Sequence, residues 1–122
     1  MSPSHELTRK VLLDLLDKDS HGLRSGWVPF RHGIDILRIY GDGEHGPAAA
    51  LLWYAPGAAV PRHRHPDYEH ILVLSGSQSD ENGTYGAGSC VIHGPGTHHS
   101  VRSEDGCVVL AVWNQPVIFE AE

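Results

Sequence analysis

Residues 57–76, GAAVPRHRHPDYEHILVLSG, constrain the fold more than any other part of this 122-residue chain. His63, His65 and Glu69 all fall at odd positions. Side chains of a strand alternate between faces with a period of two. The three therefore share one side, provided that pairing resumes after the Pro66-Asp67 bend. A carboxylate turned toward a core is costly to bury alone. The two imidazoles beside it explain its place, because together they form most of a donor set for one divalent metal ion. The stretch thus asks for a rigid sheet that closes around an internal cation.

The rest of the chain can supply that sheet. Its 14 Gly and 8 Pro break the apolar runs into short pieces, the pattern of many turns and many strands. GWVPF (26–30), IDILRIY (34–40), AAALLWYA (48–55), SCVIH (89–93) and PVIFE (116–120) read as strands. CVVLAVW (107–113) is apolar enough for a strand buried on both faces. Asn82-Gly83 marks a hairpin, because both residues tolerate positive φ. Nine to eleven strands of this kind make an all-β sandwich or barrel.

One helix precedes them. Over 5–18, Leu7, Val11 and Leu15 recur at i, i+4 and i+8, with Ser4 as N-cap. The predicted organisation is a helical extension over 1–24, lying on the outside of a β-barrel over 25–122. The alternative role for that helix is to bind a partner or to swap between two copies.

Several function classes are disfavoured. A formal charge of −6 is wrong for a nucleic-acid surface or for capture by an anionic membrane. No apolar run approaches the ~20 residues of a membrane-spanning helix, and MSPSHELTRK has no apolar signal core. The expected location is cytoplasmic. Cys90 and Cys107, far apart and outside any C-x-x-C pair, are expected to be buried strand thiols of a reducing compartment.

Of the ten histidines, only those at 63–65 and 93–99 cluster. His99 is chosen as the third imidazole ligand, because Val101 and Ser103 share its parity and continue one face. His98 is the alternative, and His93 is a neighbouring pocket candidate. Ile34, Ile36, Arg38 and Tyr40 share a strand face. If it turns inward, Arg38 and Tyr40 join His93 and His98 as candidates for proton transfer; otherwise that end of the strand leaves the core. Trp53, Tyr54, Tyr85 and Trp113 are candidate pocket walls.

The spacing Gly57, five residues, His63-x-His65, three residues, Glu69, six residues, Gly76 resembles the first motif of the cupin superfamily throughout. Gly88, Pro95, Gly96 and His99 resemble the second motif, although His99 falls four residues after Pro95 and Gly96 follows the proline directly. PGAAVPRHRH, the run 76–88 and Gly106-Cys107 are similar to the ChrR-like cupins, named after a domain of the ChrR anti-sigma factors. The N-terminal helix has no cysteine and a single histidine, so the zinc-binding, sigma-sequestering domain of those factors is not expected there.

The resemblance implies a double-stranded β-helix (jelly roll), a homodimer, and one divalent metal held by His63, His65, Glu69 and His99. Fe, Zn, Mn, Ni and Co all suit that set. Two functions follow. One is a metal-dependent, dioxygenase-like enzyme acting on a small organic molecule. The other is a non-catalytic ligand- or redox-sensing cupin that signals through its dimer or helix face.

Overall fold

The computed structural model describes residues 26–120. The predicted 5–18 helix and the 1–24 extension lie outside the described residues. Among those described, ten strands follow one another: β1 (Val28–Arg31), β2 (Ile34–Tyr40), β3 (Ala48–Tyr54), β4 (Ala59–Arg64) and β5 (Glu69–Asp80), then β6 (Gly83–Gly86), β7 (Cys90–His93), β8 (His98–Arg102), β9 (Cys107–Trp113) and β10 (Ile118–Phe119). No helix among the described residues is long and apolar enough to cross a membrane.

The strands form a curled, antiparallel double-stranded β-helix in the order β1-β2-β3-β9-β5-β8-β4-β10. The first half of β5 pairs with β9 and β7. Its second half pairs with β6 and touches β8. The 12-residue β5 therefore belongs to both sheets and turns the corner between them. That corner has a register shift between Val73 and Ser75, followed by Gly76 at φ 74. A Cβ at Gly76 would stand 2.0 Å from the Gly106 carbonyl oxygen, so only glycine fits there.

The core lies between the sheets. Ile34, Ile36, Leu52, Ile71, Val73, Val109 and Ala111 are all buried there. Complete burial of a Val or Ile contributes about 1.5–3 kcal/mol. In β9 the odd residues Cys107, Val109 and Ala111 are buried and the even face only half-buried, less than its apolar run predicts. Both cysteines are free. Cys107 is buried as expected, but Cys90 is exposed, because the four-residue β7 is covered on only one side.

Candidate metal centre

Two bulges aim the candidate side chains. Between β4 and β8 the register passes from Val60↔Val101 to His63↔His99, three steps on one strand against two on the other. The extra residue flips the parity of β4, so Val60 and His63 both face inward. It also presents the Pro61 carbonyl to His63 Nδ1, which donates to it at 2.8 Å.

Three imidazoles are held in the same manner. His65 Nδ1 faces the Thr97 carbonyl at 3.1 Å and the Thr97 hydroxyl at 3.0 Å. The hydroxyl hydrogen is given to Gly94 O, which leaves its oxygen to accept. His99 Nδ1 donates to Asp80 Oδ2 at 3.2 Å. Each Nδ1 meets an acceptor and so carries the proton, which leaves Nε2 as a bare lone pair.

Those lone pairs converge. The donor atoms of His63, His65 and His99 lie within 4.8 Å of one another. His65 Nε2 and His99 Nε2 are buried with no hydrogen-bond partner. His65 Nε2 also stands 3.1 Å from Glu69 Oε1, in ion-pair range but out of hydrogen-bond alignment. Lone pairs and a carboxylate crowded together in an interior repel one another. A single added proton can relieve one such contact; a divalent cation can relieve all of them. The residues therefore fit a metal ion.

The surroundings point the same way. Burial pushes the His63 imidazole below its ordinary pKa, keeping it neutral. Burial alone would push the Glu69 carboxyl up, but positive charge on His65 and the adjacent imidazoles outweighs it and holds the group below the usual carboxylate range, the charge that a bound cation would supply in their place. Asp80 shows the same balance: burial raises it, whereas the Asn82 N–H and His99 bring it down.

The histidine cluster opens on two sides. Inward lies a cavity of about 50 Å³, walled by Leu52, Tyr54, Ile71, Gln78, Val101 and Trp113 beside His63, Glu69 and His99. Its polar feature is the Tyr54 hydroxyl hydrogen-bonded to Gln78; burial drives that hydroxyl well above its ordinary pKa. Outward lies a groove of about 400 Å³ containing Asp80, Tyr85, His93 and His99.

The other candidates separate clearly. His98 faces outward and pairs with Glu120, which Arg62 Nε also contacts at 3.1 Å. Tyr40 is 43% exposed, and Arg38 lines an adjoining cavity of about 160 Å³ rather than the histidine cluster. The inward face of β2 ends at Ile36, and the register shifts between Arg38 and Tyr40. Tyr54 and Trp113 line the chamber as expected; Tyr85 stands on the outer groove, and Trp53 lines neither. His93 is half-buried, directly across from Glu69 in the β5–β7 register. Sequence reasoning missed Asp80, Thr97 and Gln78. Asp80 reads as part of the Asn82-Gly83 turn, and Thr97 as part of the Gly-Pro-Gly turn.

Comparison with known proteins is consistent with this architecture. The ChrR Cupin-like domain family matches residues 21–117. Over 75 residues, 60% of this chain, the sequence is 39% identical to the anti-sigma-E factor ChrR of Cereibacter sphaeroides, covering 35% of that protein. The chain thus spans about a third of the length of this curated relative. The crystal structure of Rhodobacter sphaeroides SigE in complex with the anti-sigma ChrR superposes with TM-score 0.65 and 32% identity, over 75% of this chain and 50% of that one. An acetylacetone dioxygenase from Acinetobacter johnsonii superposes with TM-score 0.72 over 80% of this chain and 73% of that chain. Its 17% identity shows a shared fold alone.

Proposed function

The chain belongs to the ChrR cupin-like domain family, and from that premise we propose that His63, His65, Glu69 and His99 hold one divalent metal ion in a dioxygenase-like enzyme for a small organic molecule. The observation that carries the reading is the convergence of three imidazole donors within 4.8 Å, two of them with orphaned, buried Nε2 atoms.

Such an ion supplies Lewis acidity toward a substrate oxygen and, where it is redox-active, electrons for oxygenase chemistry. The chain's own residues shape what reaches it. Leu52, Ile71, Val101 and Trp113 exclude water and favour an apolar body. The Tyr54–Gln78 pair offers one hydrogen-bonding contact within that chamber. Asp80, Thr97 and Pro61 hold the proton on Nδ1 and fix each ring so that Nε2 faces the ion.

A second reading draws on the likeness to an anti-sigma factor. There the same pocket detects a ligand or oxidant, and the protein signals as a homodimer or through its N-terminal segment. One experiment separates the two readings. Protein purified without chelator or nickel resin is analysed for metal, reloaded with Fe(II), and assayed for oxygen uptake with dicarbonyl, enol and thiol compounds. Stoichiometric metal with substrate-dependent uptake supports the enzyme. Stoichiometric metal without uptake, but with a ligand- or oxidant-dependent change of oligomeric state, supports the sensor.

A further inference from the structure

We infer that the substrate of this centre is an organic anion, an apolar body with one acidic group, and that Arg31 and Arg38 seat that group in the cavity of about 160 Å³ beside the metal chamber. The inference rests on the metal centre proposed above and narrows what reaches it.

Size gives the two spaces different tasks. The inner chamber of about 50 Å³ has room for only a few water-sized groups. The adjoining cavity is comparable with an apolar void of about 150 Å³ that takes up benzene. Phe30, Trp113, Val117 and Phe119 wall both spaces. A ring-sized body therefore lodges in the larger one, and only its reacting end extends into the chamber of the ion.

Charge selects what lodges there. The walls of the larger cavity bring two guanidinium groups and no carboxylate, in a chain whose formal charge is −6. Carboxylates match Arg62, which meets Glu81 and Glu120, and Arg102, which meets Glu104. Neither Arg31 nor Arg38 has an acidic partner among the described residues. Arg31 is half-buried and Arg38 exposed, so the two charges stand at the mouth of the cavity.

Both arginines are held in place by their surroundings. Arg31 lies over the Phe119 ring, 4.4 Å from its centroid, and that ring stands 5.7 Å from the ring of His63. One side chain thus touches both the cationic rim and a metal ligand. Gly43, at φ 76, makes room for Arg38: a Cβ there would stand 2.6 Å from Arg38 Nη1. Guanidinium groups present a fork of N–H donors that fits the oxygens of a carboxylate or a phosphate. Among dicarbonyl, enol and thiol compounds, those with an acidic group at the far end are the ones this arrangement selects.

The test begins with calorimetric titration of the chelator-treated full chain with phenylacetate, phenyl phosphate and neutral phenylacetamide. At least one anion is expected to bind about tenfold more tightly than the amide, and the tighter of the two identifies the acidic group. That preference should shrink as salt is raised and disappear in the Arg31→Gln, Arg38→Gln double variant. In the Co(II)-loaded chain, 4-mercaptophenylacetate is expected to produce thiolate-to-cobalt absorption at about a tenth of the concentration that 4-mercaptophenylacetamide requires. Equal affinity for anions and amide overturns the inference and leaves the metal centre standing. An anion preference without the cobalt absorption overturns the acid's role as substrate. A chain that takes up no Co(II) overturns the metal centre, and with it that role, whatever the titration shows. Because the wild-type preference for anion over amide decides, a variant that fails to fold does not obscure the result.

Discussion

Asp80 is the residue on which the orientation of His99 depends. Its side chain is 6% exposed, and it accepts from His99 Nδ1, the Asn82 N–H and the Tyr85 hydroxyl. Substitution of an outer partner of this kind typically weakens metal binding by about 10–100-fold while sparing the fold. Asp80→Ala is therefore expected to lower Co(II) affinity by that factor in calorimetric titration, with an unchanged circular dichroism spectrum. His65→Ala and His99→Ala should abolish stoichiometric metal. His70→Ala and His98→Ala should not, because both side chains face outward. Equal loss from His65→Ala and His70→Ala would contradict the assigned facing of β5 and of the turn before it.

Among the elements, β5 does most to form the site. Before its corner the odd residues Glu69, Ile71 and Val73 face inward; after it, the even residue Gln78 does. The register shift and Gly76 reverse the alternation, and this is why Gln78 and Asp80 reach the interior. Strict period-two reading from Glu69 places both outside. The bulge in β4 reverses parity in the same way between Val60 and His63. Gly76→Ala forces a left-handed backbone on alanine and drives its Cβ into the Gly106 carbonyl. The expected loss is about 2–4 kcal/mol, measured as a lower urea midpoint with the slope unchanged.

Across the whole molecule, pH acts through the buried imidazoles. Burial brings His93 down to about 4 and His63 below its ordinary value, against about 6.5 in an unfolded chain. Below that unfolded value the unfolded state binds more protons, so acid favours unfolding. Metal-free protein should thus be fully stable above about pH 6.5 and lose stability progressively toward pH 4. Glu69 and Asp80, also held low, add their share only below about pH 4. Urea midpoints in chelator at pH 7.5 and 5 test this, and equal midpoints would contradict the burial of neutral imidazoles. The amino-acid sequence by itself determined the all-β class, the hairpin at Asn82-Gly83 and the common facing of His63, His65 and Glu69. Turn chemistry and period-two alternation act over a few residues and are written locally. Only the tertiary structure decided that His99 rather than His98 turns inward, that His93 joins the cluster, and that Asp80, Thr97 and Gln78 support it. Those placements depend on cross-strand register and on two bulges, and a bulge arises where strands distant in sequence must close around a shared core.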